Sequence, residues 1–222
     1  MQPFEPITAV GLPLLRDNID TDALIPSREI TTVSKTGLAS GLFAGWRYLG
    51  GDHAKPDPAF ELNDPGYRGA QILLAGDNFG CGSSREQAVW ALAEYGFRVL
   101  AAPSFNPIFY RNCVRNGVVP AMLSSGKIAE IALWVRADPR TNRLSVDLRE
   151  REIRAPGYRS WEFTISDESR DFLLRGIDAI DDTLKLRDKI AEFRAADKLR
   201  RPWVYEVGAA QGDLVHAGPD ML

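Results

Sequence analysis

The chain has 222 residues, of which 45% are hydrophobic and 26% are charged, and its net charge is −3. This composition supports a packed core and excludes a disordered chain, and the nearly balanced charge predicts no nucleic-acid partner. No signal peptide is evident at the start, and no apolar run approaches the roughly 20 residues that a membrane span needs. We therefore expect a cytoplasmic protein with a single domain over residues 1–199 and a mobile tail over 200–222.

The supply of metal ligands is small. Cys81 and Cys113 are the only cysteines, and they are far apart in the sequence, so no disulfide framework is expected. An iron–sulfur cluster is usually held by several thiolates, which this chain cannot supply alone. His53 and His216 stand in polar segments without ligand spacing and are expected at the surface. The sequence therefore predicts no metal ligand in this chain.

The first third of the chain predicts one strand followed by irregular connections. The apolar run from Val10 to Leu15 predicts a strand, and 18–22 is rich in side chains that bond to nearby backbone, which is typical of a loop. Residues 27–36 are polar and predict a loop or a frayed helix. Prolines and glycines over 50–69 predict a long irregular connection.

The clearest unit follows in the middle of the chain. Ile72–Ala75 has the continuous apolar character of a buried parallel strand, and a glycine-rich turn follows over 76–82. Apolar residues then recur at helical spacing from Ala88 to Tyr95, up to a glycine. Val99–Ala102 predicts the next strand. Together these segments predict a βαβ unit with a right-handed crossover.

The second half alternates predicted strands and helices, which places the chain in the α/β class. Period-two patterns at 144–148 and 161–165 predict a β-hairpin. The other expected elements are a helix over 106–115, a strand over 118–122, and closing helices over 167–175 and 181–197.

The chemistry is concentrated in the segment 80–86, Gly-Cys-Gly-Ser-Ser-Arg-Glu. Glycines allow the backbone to approach a ligand closely, and the start of the following helix favours an anion. Arg85 can grip a carboxylate with two hydrogen bonds, so the segment predicts a carboxylate-binding helix N-terminus with Ser83 beside it. The alternative is structural, because Ser83 and Glu86 have the spacing of a capping box, worth roughly 1 kcal/mol. The spacing excludes a phosphate loop and a nucleophile elbow.

Three motifs in order extend this interpretation. They are Asn-Ile-Asp-Thr-Asp at 18–22, Asp-Asn-Phe-Gly-Cys-Gly-Ser-Ser-Arg-Glu at 77–86, and Ala-Pro-Ser-Phe at 102–105 with Ile-Phe-Tyr at 108–110. Together they resemble the small subunits of 3-isopropylmalate dehydratase, which are similar to the C-terminal swivel domain of aconitase. The resemblance spans roughly residues 7–190. It implies an α/β chain with the swivel-domain β/β/α fold, in which the βαβ unit presents the active-site loop.

The resemblance also implies an activity and its partners. The expected reaction is the isomerisation of 2-isopropylmalate to 3-isopropylmalate by dehydration and rehydration, in leucine biosynthesis. It implies a separate large subunit that holds a [4Fe–4S] cluster as the Lewis acid, with no cofactor bound by this chain. The site residues that it implies are Ser83 as the catalytic base, and Ser84, Arg85, Asp22, Ile30 and Thr31 as substrate-binding residues.

Other functions stay open at this point. A related small subunit would act on citraconate or methylmalate, or on homoaconitate, and a non-catalytic anion-binding module would use the same helix N-terminus. Ile30 beside Thr31 offers a methyl-rich surface, which favours a branched apolar substituent over an extra carboxylate. Arg28 is close enough in sequence to supply a cation there instead. Cys81, next to the motif, is interpreted as a small apolar filler and not as a cluster ligand.

Overall fold

The computed structural model describes residues 1–83, 85–177 and 183–206. The chain divides into two compact units, Met1–Ile177 and Asp178–Leu222. The single domain expected over 1–199 and the mobile tail over 200–222 stay predictions, and residues 207–222 lie outside the described part. Within the described residues, no helix has the length and apolar character needed to cross a membrane.

The described residues form a seven-stranded mixed sheet in the first unit. Its strands are β1 (Ile7–Leu14), β2 (Ala70–Ala75), β3 (Val99–Ala102), β4 (Val119–Met122), β5 (Arg143–Asp147), β6 (Glu152–Ala155) and β7 (Arg159–Glu162). Their order is β4-β3-β2-β1-β5-β6-β7, with β1 to β4 parallel and β5 to β7 antiparallel to their neighbours. Beyond β7, Thr164 exchanges two backbone hydrogen bonds with Met122, of 3.0 and 2.8 Å, so the sheet curls until its two edges meet.

Helices pack on the sheet and connect its strands. In the first unit they are α1 (Thr21–Leu24), α2 (Ala44–Arg47), α3 (Glu86–Tyr95), α4 (Pro107–Arg115), α5 (Ser125–Ala137) and α6 (Asp167–Arg175). In the second unit they are α7 (Arg187–Arg200) and α8 (Trp203–Glu206). Short 3-10 turns occupy Ser27–Glu29, Ala39–Gly41, Leu49–Gly51, Glu61–Asn63 and Pro65–Tyr67. The connection β2-α3-β3 confirms the predicted βαβ unit, since β2 and β3 are parallel neighbours.

Both faces of the parallel half are buried, because successive side chains of a strand point to opposite faces. Ile72 and Leu74 of β2 belong to one apolar cluster, which includes the buried face of α5. Leu73 and Ala75 belong to the other, which includes residues of α1, α3 and α4. Two buried faces explain why this strand is a continuous apolar run in the sequence.

Two expectations about the second half are wrong. The predicted hairpin between 144–148 and 161–165 does not form, because β6 lies between β5 and β7 and pairs with both. β6 is short and charged, and alternates the buried Ile153 with the exposed Arg154, so its pattern is weak in the sequence. The helix α5 was not expected at all, although it supplies Ile131 and Val135 to the core.

Candidate active site

Three loops lie together at one edge of the sheet. They follow β1, β2 and β3, which are parallel and therefore end on the same side. Isolated parallel bridges join Asp20 to Cys81 and Phe79 to Phe105, so the loops continue the sheet pairing beyond the strands. The carboxyl ends of parallel strands are the usual place for a ligand site in an open α/β sheet.

Matching Asp-Asn pairs bind the first two loops to each other. Asp17 and Asn18 follow β1, and Asp77 and Asn78 follow β2. The side-chain amide of Asn78 donates to Asn18 over 2.8 Å, and the backbone N–H of Asp77 donates to Asp17 over 2.7 Å. Ser104 of the third loop donates to Asp77 over 2.5 Å and accepts from the backbone of Asn78 over 2.9 Å. These bonds fix the three loops as one platform.

Glycines allow the second loop to pass close to α4. Gly80 and Gly82 have φ of 74° and 80°, a region that side chains disfavour. A Cβ on Gly80 would overlap the ring of Phe109, which is buried behind the loop. The glycine-rich motif therefore has a packing reason as well as a functional one.

Ser83 lies at the exposed end of this loop. Its carbonyl accepts from the hydroxyl of Thr21, whose backbone N–H bonds to the carbonyl of Cys81 over 3.1 Å. The helix α3 begins only at Glu86, with Arg85 in the N-cap position and no side-chain capping bond. The capping-box alternative is therefore wrong, because Ser83 stands before the cap. Glu86 instead accepts from the side chain of Asn116 over 2.9 Å.

Arg85 and Asp22 come together from two loops. One guanidinium nitrogen of Arg85, Nη1, contacts the Asp22 carboxylate and also lies 3.4 Å from the carbonyl of Ile25. The Arg85 side chain is 21% exposed, whereas that of Asp22 is 56% exposed. Asp22 is held in turn by α1, which Asp20 caps by accepting from Ala23 over 2.7 Å. The guanidinium group is thus fixed within the platform, and the Arg85 side chain remains partly exposed.

The remaining predicted site residues have different settings. Ile30 is half-buried against the core cluster below α1 and α3, whereas Thr31 is exposed. The carbonyl of Ile25 contacts Arg85. Ile30 and Thr31 follow Ile25 in the chain and can lie no more than about 20 Å from it. Ser84 lies outside the described residues. The structure therefore brings Ser83, Arg85 and Asp22 together, and places Ile30 and Thr31 on the segment that leaves the same loop.

The two cysteines do not form a metal site. Cys113 is buried in α4, and this burial raises the pKa of its thiol well above the ordinary value. Cys81 is half-buried between the glycines of the second loop. Across the described residues, no group of three or more histidine, cysteine, aspartate or glutamate side chains is arranged to hold a metal ion. The donor set of this part of the chain does not fit an iron–sulfur cluster.

Comparison with known proteins agrees with this geometry. The model of the aconitase C-terminal domain family matches residues 1–126. A 3-isopropylmalate dehydratase small subunit from Cupriavidus necator is 54% identical over 92% of this chain and 99% of its own length. One from Neisseria gonorrhoeae is 42% identical over the same shares of the two chains. This chain belongs to the family of 3-isopropylmalate dehydratase small subunits.

A solved structure supports the same family fold. The crystal structure of 3-isopropylmalate dehydratase from Methanocaldococcus jannaschii is 28% identical, with a TM-score of 0.62. It covers 86% of this chain and 99% of its own. The predicted resemblance and the swivel-domain α/β fold are thereby confirmed. The bacterial relatives are named small subunits, which implies a large subunit for each of them.

Sequence reasoning missed several residues of the platform. Thr21, Asp77 and Ser104 were quoted only as parts of motifs, without a role. A usable signal was present, since the same Asp-Asn dipeptide follows both β1 and β2. Asparagine tolerates positive φ better than other side chains, and both asparagines adopt it, at 55° and 54°.

Proposed function

We propose that this chain is the small subunit of a 3-isopropylmalate dehydratase and acts in leucine biosynthesis. With a large subunit it would interconvert 2-isopropylmalate and 3-isopropylmalate by removing and re-adding water. The observation that supports this most is the 54% identity to the Cupriavidus necator small subunit over nearly the whole of both chains. The roles of single residues are those that the family resemblance implies, and the geometry of the loop platform supports them by bringing Ser83, Arg85 and Asp22 together.

Arg85 is proposed to orient the substrate through a carboxylate. Its Nη1 is engaged by Asp22 and by the Ile25 carbonyl, which fixes the plane of the guanidinium. The group has five N–H donors in a rigid fork, so the remaining donors can grip a carboxylate with two parallel bonds. Ser84, which adjoins Arg85 in the sequence, is proposed to bind the same substrate group.

Ser83 is proposed as the base that takes the proton next to that carboxylate. A free hydroxyl is a poor base at neutral pH, so the site must stabilise the alkoxide. Two positive influences follow Ser83 directly along the chain, namely the Arg85 guanidinium and the N-terminus of α3. In the dehydration direction Ser83 accepts the proton, and in the hydration direction it returns the proton to the neighbouring carbon.

The large subunit is proposed to hold the [4Fe–4S] cluster that the aconitase resemblance implies. The two cysteines of this chain are too few to ligate it, and Cys113 is buried within α4. This chain would then contribute the base and the carboxylate grip from its loop platform. A surface of the large subunit would close over the exposed Ser83 and keep bulk water away from the alkoxide while the proton moves.

The decisive experiment is Ser83→Ala, assayed for hydration after anaerobic mixing with the large subunit. A general base contributes about 100- to 10,000-fold, so we expect kcat to fall by that order, with unchanged binding of the large subunit. Ser124→Ala is the matched control, because Ser124 is also an exposed serine that precedes a helix without a side-chain capping bond. Near wild-type turnover in Ser83→Ala would reject this role and favour a non-catalytic anion-binding module.

A further inference from the structure

One carboxylate of α3 holds three consecutive backbone donors of a distant segment. Glu94, in the last turn of α3, accepts from the N–H groups of Gly37 and Leu38 over 2.6 Å each, and from that of Ala39 over 2.8 Å. These donors begin the 3-10 turn Ala39–Gly41, whose first N–H groups have no partner within the turn itself. The carboxylate satisfies them together.

The bonds strengthen one another through charge. The backbone hydrogen bonds, that from Gly37 foremost, hold the pKa of Glu94 below its ordinary value, although partial burial acts in the opposite direction. Glu94 is therefore ionised at neutral pH, and hydrogen bonds to an ionised acceptor are roughly twice as strong as neutral ones. Since the side chain is exposed, the effect is local and not a large part of global stability.

We call the three hydrogen bonds that Glu94 accepts from residues 37–39 the clamp. The segment 30–39 is fixed at both of its ends. At the first end Ile30 packs against the core, and at the second end Leu38 is fully buried beside the Glu94 bonds. Between them Thr31 is exposed, and Val33 is 97% exposed. Lys35 adds a tether, because its ammonium group donates to Asn116 over 3.2 Å and lies 5.5 Å from the centre of the Trp90 ring of α3. The course of this stretch is therefore set mainly by these tethers, two of which involve α3.

The helix α3 connects the loop that carries Ser83 and Arg85 to the clamp. α3 begins one residue after Arg85 and carries Glu94 about 12 Å further along its axis. The distance between the Ser83–Arg85 loop and the end of the exposed segment is thus set by a helix, whose apolar face is buried in the core. A helix keeps such a distance better than a loop does.

We propose that Glu94 is a positioning residue for substrate selection, which acts by fixing the segment 30–39 at the side of the substrate pocket. This inference rests on the proposed function and on the substrate-binding role that the family resemblance implies for Ile30 and Thr31, since it requires that the segment contacts the variable group of the substrate. Glu94 itself touches neither substrate nor reacting atoms. Its effect falls on recognition of the alkyl group and leaves the proton transfer by Ser83 unchanged.

The clamp is tested on the full chain by hydrogen exchange, in the wild type and in Glu94→Gln. We expect the amides of residues 37–39 to exchange at least about tenfold faster in the variant, since local protection falls tenfold for each 1.4 kcal/mol lost. Glu130→Gln is the matched control. Glu130 also lies on a helix, has a lowered pKa and accepts from Trp161 and Arg159, but it clamps the β7 side of the sheet.

Selection is tested in the complex with the large subunit, as kcat/KM for 2-isopropylmalate relative to the smaller 2-methylmalate. In Glu94→Gln we expect this ratio to fall by up to about tenfold, mainly through KM for the larger substrate, with kcat for the smaller one unchanged. Glu130→Gln should leave the ratio unmoved.

Two outcomes would overturn the proposal. Unchanged exchange at 37–39 in Glu94→Gln would show that the clamp does not exist. Faster exchange with an unmoved ratio would show that the clamp does not act on selection. If the wild-type complex turned over neither substrate, the proposed function itself would be rejected. The hydrogen-exchange result does not depend on turnover, so it would still show whether the clamp exists.

Discussion

Arg85 is held by a carboxylate before any substrate arrives. Its partner Asp22 is more than half exposed, and an exposed ion pair contributes at most about 1 kcal/mol to stability. The value of the pair lies in orientation, because Asp22 and the Ile25 carbonyl fix Nη1 and hence the plane of the whole group. A guanidinium that is already in place loses less entropy when it grips a second carboxylate.

Arg85→Lys tests this orientation. An ammonium group is a point charge that cannot satisfy Asp22, the Ile25 carbonyl and a bidentate substrate together. A lost hydrogen bond to a charged group costs about 1.5–3 kcal/mol, so we expect kcat/KM to fall by roughly 10- to 150-fold, with KM raised and kcat lowered.

Steady-state kinetics in the complex with the large subunit measure this effect. Arg154→Lys is the control, because Arg154 is also paired with a carboxylate, that of Glu152, but lies on β6. Wild-type kinetics for Arg85→Lys would show that Arg85 does not grip the substrate.

The sequence pointed to single residues but not to their contacts. An arginine after a glycine-rich turn suggests carboxylate binding at Arg85, whereas the role of Ser83 as a base comes from the family resemblance, and both roles stay predictions. The Thr21 hydroxyl bond to the Ser83 carbonyl joins residues 62 positions apart, and the Ser104 bond to Asp77 spans 27. Such pairs depend on which strands become neighbours, which residue type alone does not reveal.

At the scale of elements, the two helices that border the site begin differently. α4 has a side-chain cap, since Asn106 accepts from the N–H groups of Ile108 and Phe109 over 3.0 and 3.4 Å. α3 has none, although it follows the sequence that resembles a capping box. Among the described residues no side chain caps α3 at Arg85, and the partial positive charge of this N-terminus lies next to the loop that carries Ser83.

This contrast gives a stability prediction. Asn106→Ala should lower the free energy of unfolding by about 1 kcal/mol, because two N–H groups of α4 lose their acceptor. Ser83→Ala should change stability by much less, since Ser83 caps no helix. Urea unfolding of both variants measures the difference, and an equal loss in the two would contradict the assignment of the caps.

We propose that the segment after α1 governs substrate specificity. Arg28, which could have supplied a cation to the substrate, instead bonds to Glu29 over 3.2 Å, and its guanidinium group lies beside Gly51. The charge of Arg28 therefore lies near the turn at 49–51, and Arg28 does not supply a cation next to the exposed Thr31. An apolar substituent suits such a surface better than an extra carboxylate does.

Thr31→Arg should therefore shift the preference toward a tricarboxylate. We expect kcat/KM for isopropylmalate to exceed that for homoaconitate in the wild type, and the ratio to fall about tenfold or more in the variant. Arg28→Met is the companion variant, and it should leave the ratio unchanged. A wild type that prefers homoaconitate, or a ratio that Thr31→Arg does not move, would reject the assignment of this segment.

Elements were predictable where the pattern was local and strong. β3 and α6 have the predicted bounds, because a continuous apolar run and a serine-capped amphipathic helix are both recognisable from a few consecutive residues. β6 was missed, since it has only four residues, of which Ile153 and Ala155 are buried and alternate with two charged side chains. The hairpin prediction failed for the same reason, because strands separated by an unrecognised strand look like direct partners.

At the scale of the whole molecule, the two halves of the sheet differ in what they carry. The parallel half ends in the three loops of the platform, whereas the antiparallel half, β5 to β7, closes the curl against β4. The two sides of the sheet are filled by separate apolar clusters, one of which includes the loop residues Ile19 and Phe79, while Asp22 and Ser83 stay exposed at the same edge. Exposed polar side chains on loops that are anchored in the core suit a small subunit, which acts beside a second chain.

The final prediction concerns that division of labour. The isolated chain should be colourless, should retain no iron after purification or anaerobic reconstitution with iron and sulfide, and should not turn over isopropylmalate. The reason is its donor set, since a cluster needs several thiolates and this chain has two, of which Cys113 is buried and has a raised pKa. Iron analysis, visible absorbance and a hydration assay, each with and without the large subunit, measure the three properties. Cys81→Ser serves as the check on the remaining thiol, and should still support activity in the mixture. An isolated chain that binds a cluster, or that turns over substrate alone, would show that the cluster site does not belong to the large subunit.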